Sequence, residues 1–233
     1  GDSSLQSVDS VQITATTRSG ADGPAAKLNG SKITTLDANI SITANAAAAT
    51  GMIINATTIE STHAGAVSLQ GQTASGDGVV LSTAKVASGS NDVSVEGTGT
   101  TLGLKATTSM FETSTGSLSL TGHSASKGVE LLASHASSGS GMLTVTAGGT
   151  NVAGFRADNG STLSTTTGPI AVVADGTPDG IVIADASVTS TKGNIDLKSD
   201  QIVLDEAAAT ISSSGPRSAG STPSCASRSA LTR

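Results

Sequence analysis

The sequence predicts an all-β solenoid, a parallel β-helix in which short strands stack coil upon coil. Three observations predict this fold: a short apolar alternation returns at a nearly constant interval, each apolar pulse is too short for a helix, and bulky core side chains are scarce. Among 233 residues there is no Trp or Tyr, and only Phe111 and Phe155 are aromatic. Ala, Val, Ile and Leu pack a thin core densely and a thick one poorly, so a long, narrow body is favoured.

The alternation apolar-x-apolar sets the period. Successive members begin 25 to 29 residues apart, with a mean of about 26, within the range typical of solenoid repeats. The eight members are Val11-x-Ile13, Ile40-x-Ile42, Val67-x-Leu69, Val93-x-Val95, Leu118-x-Leu120, Leu143-x-Val145, Ile170-x-Val172 and Ile195-x-Leu197.

Two further apolar pulses lie inside each period. The second follows the first by nine to twelve residues in most coils, as Met52-x-Ile54, Val79-x-Leu81, Leu102-x-Leu104, Val129-x-Leu131, Phe155 and Ile181-x-Ile183. The third comes about seven residues later still, as Ile59, Val86, Met110, Leu163 and Val188. Ala136 interrupts the third series, and the last coil is irregular because Ile202-x-Leu204 arrives early.

Each pulse alternates with period two over three to five residues, which is typical of a short strand with one buried face. Gly-, Ser- and Asp-rich turns separate the pulses. We therefore expect seven to eight coils with three short strands each, forming a rod roughly 35 Å long at a strand spacing of about 4.8 Å. Leu118, Leu143 and Ile170 should stack inward. An outward column should be a solvated Ser/Thr ladder, made of Ser41, Ser68, Ser94, Ser119, Thr144 and Asp196.

The repeat region is expected to span residues 1–212, and residues 213–233 differ from everything before them. This tail holds three of the five Arg, two of the five Pro and the only cysteine, Cys225, but a single large aliphatic residue, Leu231. It is expected to be disordered. It is either an artefact of a shifted or truncated reading frame or, alternatively, a genuine basic linker.

Composition argues against several classes of protein. The net charge of −6 argues against a nucleic-acid binder, which needs a basic surface. A single cysteine excludes an intrachain disulfide, and no apolar run is long enough to span a membrane. Gly1-Asp2-Ser3-Ser4 does not open a signal peptide. If the protein is exported, the targeting segment is expected outside this fragment.

The coil pattern resembles that of a known family. Thr115-Gly116-Ser117-Leu118-Ser119-Leu120, Gly128-Val129-Glu130-Leu131 and Thr191-Lys192-Gly193-Asn194-Ile195-Asp196-Leu197 show a loose T-G-x-[VIL]-x-[VIL] and G-V-x-L consensus. This pattern resembles the repeat region of filamentous haemagglutinin-like proteins, large exoproteins of two-partner secretion systems. The resemblance covers roughly residues 8–212. It implies that the solenoid is a right-handed shaft.

The resemblance also implies a function and partners. The expected function is that of a structural shaft segment in a large secreted or cell-surface bacterial adhesin. Its expected partners are the outer-membrane transporter of the secretion system, reached through an amino-terminal domain not recognisable here, and a cell-surface receptor or glycan. The alternatives are an effector-presenting stalk of a contact-dependent inhibition protein and a β-helix enzyme acting on polysaccharide.

No catalytic, cofactor-binding or metal-binding residue is predicted, and the chain is not expected to be an enzyme. His63, His123 and His135 fall at different phases of the coil and should not share a face. Asp175, Asp179 and Asp185 lack the Gly-Gly-x-Gly-x-Asp array of calcium-binding β-rolls and are interpreted as turn residues. Sequons at Asn29, Asn39, Asn55 and Asn159 are expected by chance in a Ser/Thr-rich chain.

Overall fold

The computed structural model describes residues 3–18, 22–150, 152–205 and 208–214. It confirms the predicted fold: three parallel sheets form a β-solenoid of about eight turns, spaced about 26 residues apart. No helix occurs in this part of the chain, and so no membrane-spanning helix is found there. The repeat continues to Ser213. Residues 215–233 of the predicted tail lie outside the described residues.

Each coil contributes one strand to each sheet. Sheet 1 contains, in order, β1 (Ser3–Ser7), β4 (Ser31–Thr35), β7 (Thr58–Ser61), β10 (Lys85–Ser88), β13 (Met110–Thr113), β16 (His135–Ser138), β19 (Ser161–Thr165), β22 (Ala186–Ser190) and β25 (Thr210–Ser213). Sheet 2 contains β2 (Val11–Thr16), β5 (Ile40–Ala46), β8 (Val67–Thr73), β11 (Val93–Thr98), β14 (Leu118–His123), β17 (Leu143–Gly148), β20 (Ile170–Asp175) and β23 (Ile195–Lys198). Sheet 3 contains β3 (Ala26–Asn29), β6 (Met52–Asn55), β9 (Asp77–Ser82), β12 (Leu102–Thr107), β15 (Lys127–Leu132), β18 (Phe155–Asp158), β21 (Ile181–Ile183) and β24 (Ile202–Leu204).

The core is a set of columns parallel to the solenoid axis. In sheet 2, Leu118, Leu143 and Ile170 lie in register on neighbouring strands and all are fully buried, as predicted. The predicted outward column is also in register, with Ala171 between Thr144 and Asp196. Stacking the coils therefore buries one apolar face of every strand while the alternate residues point outward.

Three details of the predicted register were wrong. In sheet 1, Phe111 rather than Met110 aligns with Val86 and is fully buried, whereas Met110 is 37% exposed. Ala136 does not interrupt the column, because it aligns with Phe111 and is also buried. In sheet 3, the pair aligned with Val79-x-Leu81 is Leu104-x-Ala106, while Leu102 aligns with Asp77.

Buried hydroxyls close the turn between sheet 1 and sheet 2. The inner hydroxyl column comprises the aligned residues Thr35, Ser61, Ser88, Thr113, Ser138, Thr165 and Ser190, all buried. Each hydroxyl bonds the backbone of the following turn or its neighbour: Ser138 Oγ, for example, donates to the carbonyls of Gly116 and Gly141. No buried side-chain polar atom in the described residues lacks a partner, so these hydroxyls lie in the interior without an unsatisfied group.

The same turns carry a glycine column that sets how closely the coils approach. Gly116, Gly141, Gly168 and Gly193 each follow a column hydroxyl by three residues. A Cβ at any of them would lie between 1.8 and 2.1 Å from a backbone carbonyl oxygen of the preceding coil. Only glycine fits this approach, which explains why glycine recurs at this position in four successive turns.

The corner between sheet 3 and sheet 1 uses left-handed backbone. Ala56, Thr83, Thr108 and Ala133 have φ between 46° and 52° at this corner. One residue further on, Ser109 and Ser134 are buried and their hydroxyls accept the backbone N–H of Ala84 and Ser109, respectively, from the preceding coil. These bonds hold a conformation that is costly for a residue other than glycine.

Candidate functional site

A groove of about 610 Å³ runs along the solenoid axis on sheet 1. Its lining comes from six successive strands and the turns that follow them, namely Glu60, Thr62, Ala87, Ser88, Gly89, Glu112, Thr113, Ser114, Ser137, Ser138, Gly139, Ser164, Thr165, Thr166, Thr189 and Thr191. Five strand spacings make the groove about 24 Å long. We call it the sheet 1 groove.

The groove arises from the way each sheet 1 strand ends. One wall is the outward column of the sheet, in which Glu112, Ser137 and Ser164 lie in register. The opposite wall is the first residue of each turn, such as Ser114 and Thr166. The floor of the groove between the two walls is the backbone of the inner hydroxyl column. The side chains of that column point into the core, so none of them fills the groove. The concavity is therefore a property of the repeat, present in every coil that it crosses.

Charge is confined to one end of the groove. Lys85 Nζ lies 2.9 Å from Glu60 Oε1 and 3.8 Å from Glu112 Oε2, so one ammonium bridges two carboxylates from the coils on either side. The hydrogen bond to Glu60 raises the pKa of Lys85. The other end of the groove, from Ser137 onward, is lined only by hydroxyls and a glycine.

The side chains of the groove offer hydrogen bonds and one ion-paired group of charges. The two carboxylates that line the groove, those of Glu60 and Glu112, are both engaged with Lys85. No histidine is among the residues that line the groove. Hydroxyls donate and accept hydrogen bonds, and a row of them matches the hydroxyls of an extended glycan better than an apolar ligand.

The densest group of charges lies on the outward face of sheet 3. Lys105, Glu130 and Arg156 are aligned on β12, β15 and β18. Glu130 is buried to 6% exposure and bonds Lys127 at 2.7 Å, with Lys105 at 3.5 Å. Arg156 pairs with Asp158. We call this group the sheet 3 charge cluster, together with Asp77 beside it.

The electrostatics of the sheet 3 charge cluster are those of a structural ion network. Burial raises the pKa of Asp77, the nearby Lys105 lowers it, and Glu130 raises it further. The hydrogen bond from Arg156 lowers the pKa of Asp158. Glu130 lies between two ammonium groups, those of Lys105 and Lys127. The cluster is not part of the sheet 1 groove.

The structure does not bring the histidines or the three aspartates together. His63 lies in the turn after β7, near Asp37 at 3.6 Å, whereas His123 ends β14 and His135 begins β16. Asp175 ends β20, and Asp185 lies in the corner before β22 with φ of 47°. Within the described ranges, no group of three or more His, Cys, Asp or Glu side chains is arranged to hold a metal ion.

The four sequons differ in their surroundings. Asn29 and Asn55 are aligned on β3 and β6, and Asn55 Nδ2 donates to Asn29 Oδ1 at 2.6 Å. Asn39 precedes β5, and its Oδ1 accepts the backbone N–H of Ala66 from the next coil. Asn159 lies exposed at a corner with φ of 56°. Three of the four asparagine side chains thus serve coil-to-coil hydrogen bonding.

The fold and these surfaces define a β-solenoid repeat protein. No protein-family model matches the chain, and no match is found among curated proteins or solved structures. The resemblance to filamentous haemagglutinin repeats therefore rests on the coil pattern alone.

Sequence reasoning missed the groove and the inner hydroxyl column. A signal was present, since Thr113-x-x-Gly116, Ser138-x-x-Gly141, Thr165-x-x-Gly168 and Ser190-x-x-Gly193 precede successive sheet 2 strands. It marks the turn that forms one wall of the groove.

Proposed function

We propose that this chain is a structural shaft segment of a large secreted or cell-surface bacterial adhesin. The observation that carries the proposal is the uninterrupted stack of coils: three sheets run through about eight turns with a continuous core and no inserted domain among the described residues. Such a body gains length with each coil at a fixed rise, which is the mechanical property of a projecting rod.

The side surfaces support a secondary role in contact with glycans or receptors. The sheet 1 groove offers many hydroxyls and no aromatic side chain among its lining residues. Aromatic and Arg anchors usually dominate tight sites. Contact along the groove is therefore weak per coil and becomes useful when summed along a long parent protein.

Export through an outer-membrane transporter of a two-partner secretion system, and location at the cell surface, belong to the same proposal. They are supported by the coil pattern that resembles that family. A stalk that presents a distal effector would use the same shaft, and a polysaccharide-acting enzyme is the alternative from another class. The charged end of the sheet 1 groove and the sheet 3 charge cluster are the two features that would carry such an activity.

The proposal is tested by binding and cleavage assays on the purified chain. Glycan-array and cell-binding signals should be weak, and Ser164→Lys in the groove should reduce them only modestly. Ser94→Lys, on the outward face of sheet 2, is the matched control. A tight site abolished by Ser164→Lys alone would contradict the shaft. Cleavage of a polysaccharide that is lost in Glu112→Gln or Glu130→Gln would establish the enzyme instead.

A further inference from the structure

The sheet 1 groove has a charged part and a neutral part. In the charged part, Lys85 pairs with Glu60 and Glu112. The neutral part begins at the turn after β13 and crosses β16, β19 and β22, so it spans about three strand spacings, or about 14 Å. Its side-chain hydroxyls, which we call the groove hydroxyls, belong to Ser114, Ser137, Ser164, Thr166, Thr189 and Thr191.

The groove hydroxyls are available to a ligand. Within the described ranges, none of these six side chains has a hydrogen bond to another protein group. The neighbouring hydroxyls of Ser138, Thr165 and Ser190 differ, because they point inward and bond glycine carbonyls. The backbone N–H groups of Thr166 and Thr191 are also paired, with carbonyls of the preceding coil. The neutral part therefore offers a ligand mainly hydroxyls, each able to donate and to accept.

The spacing of these hydroxyls indicates what kind of chain fits them. Ser137, Ser164 and Thr189 lie in register on neighbouring strands, so the row advances by about 4.8 Å per coil. A hexose unit of an extended β-1,4-linked glycan advances by nearly the same distance, and such a chain is as straight as the groove. An extended peptide presents groups on one side only every two residues, about 6.6 Å, and loses step with the coils.

We propose that the neutral part of the sheet 1 groove binds a neutral, extended β-1,4-linked glycan along the solenoid axis, with one hexose unit against each coil. This inference rests on the glycan contact of the proposed function and gives it a place, a direction and a chemical class. The carboxylates of Glu60 and Glu112 outnumber the ammonium of Lys85 at one end, and the chain carries a net charge of −6. Both disfavour sulfated or carboxylated glycans.

The test is an NMR titration of the full ¹⁵N-labelled chain with cello-oligosaccharides of two, three and four units. Amide signals of residues 112–114, 137–139, 164–166 and 189–191 should shift, and signals from sheets 2 and 3 should not. The dissociation constant should fall about two- to tenfold with each added unit, because each unit gains hydrogen bonds to a further coil. The tetramer carboxylated at C6 should cause no shift at the same concentrations.

Two variants remove a groove hydroxyl while keeping the shape of the side chain. Thr166→Val and Thr189→Val should each raise the dissociation constant of the tetramer about two- to tenfold. Thr144→Val is the matched control, because Thr144 lies in the outward column of sheet 2, and it should bind the tetramer like the unaltered chain. Circular dichroism should show that all three variants keep their β-structure and melting temperature.

Other outcomes overturn the proposal. Shifts confined to sheet 2 or sheet 3 would place the contact elsewhere, and equal binding of the carboxylated tetramer would contradict the chemical class. An absence of shifts with every oligosaccharide would show that the groove does not bind this glycan. These results would leave the shaft untouched, because the shaft rests on the stack of coils. A tight site whose affinity does not depend on glycan length would contradict both the inference and the shaft.

Discussion

Phe111 of β13 lies directly opposite Ala136 of β16 in sheet 1, and both side chains are fully buried. The outer neighbours of this pair in the column are Val86 and Leu163. The large ring of Phe111 thus lies beside the methyl group of Ala136 and fills the volume that the small side chain leaves empty. A column with Ala in both coils would not reach the packing density of a protein core.

This pairing predicts strong coupling between the two positions. Phe111→Ala should lower the free energy of unfolding by about 3–5 kcal/mol, because it leaves a cavity beside another small residue. Ala136→Leu alone should cost about 1–3 kcal/mol through overpacking. The double variant should be more stable than the sum of the two losses predicts. Urea unfolding of the four proteins measures the coupling, and strict additivity would contradict it.

The period, the strand count per coil and the sheet 2 core columns were all predictable from the sequence. Residues such as Leu118 and Leu120 alternate with polar neighbours, so alternation alone decides which face they occupy. The predicted register was wrong where several apolar residues lie close together in the sequence. Met110 and Phe111 are adjacent, and Leu102, Leu104 and Ala106 are spaced by two, so the pattern fits more than one register.

The candidate site could not be predicted for a different reason. Ser and Thr are so frequent in this chain that a buried hydroxyl and a solvated one look alike in the sequence. Ser137 and Ser138 are neighbours, yet the Ser138 hydroxyl is buried and bonds two turn carbonyls whereas Ser137 is half-buried in the outward column of sheet 1. Only the three-residue spacing to glycine distinguishes the buried one.

A charged side chain in place of Leu143 should strongly destabilise the folded protein. Leu143→Asp would place an unpaired charge between Leu118 and Ile170, at a cost of several kcal/mol. Thr144→Asp is the matched control, because Asp196 already occupies the same outward column. Thermal unfolding followed by circular dichroism should show a large loss for the first and little change for the second. An unchanged melting temperature in Leu143→Asp would refute the proposed burial.

The glycine column should tolerate no side chain. A Cβ at Gly141 would lie 1.9 Å from the carbonyl oxygen of Gly116, so Gly141→Ala must separate two coils and should cost at least about 2 kcal/mol. A Cβ at Gly23 meets nothing within 4 Å, and Gly23→Ala should be neutral or slightly stabilising. The midpoints of denaturant unfolding compare the two. Equal effects would show that close approach is not what requires glycine.

The aspartates of the sheet 3 charge cluster should respond oppositely to pH. Because burial raises the pKa of Asp77, its charged form opposes folding. Asp77→Asn should therefore stabilise the protein at pH 7, with the gain fading as pH falls through the raised pKa of the folded state and absent below the unfolded pKa of about 3.9. Arg156 lowers the pKa of Asp158, so that carboxylate stabilises the fold above its unfolded pKa. Asp158→Asn should lose stability at pH 7, and the loss should fade at low pH.

Unfolding midpoints at pH 7 and pH 3 measure both variants. The direction of each change at pH 7 is the test, because a nonspecific effect of removing one negative charge would shift the unfolding midpoints of both variants in the same direction. A loss of stability in Asp77→Asn at pH 7 would show that its attraction to Lys105 outweighs burial.

A shaft built from equivalent coils should accept a whole additional coil. Residues 40–66 form one complete turn, with β5, β6 and β7, and contain one acidic residue, Glu60, one histidine, His63, and no Lys or Arg. Inserting a second copy after Ala66 places Ile40 on Ile40, Met52 on Met52 and Ile59 on Ile59, so every core column gains one aliphatic side chain. The variant should fold, keep its melting temperature and lengthen by about 4.8 Å. Small-angle X-ray scattering measures the added length.

The matched control duplicates only residues 40–51, which contain β5 alone. The extra strand has no equivalent place in the coil, and these residues should form a loop or disrupt folding. Unfolding of the whole-coil variant, or equal lengthening in both, would mean that the coils are not interchangeable units and that the rod is not extended coil by coil.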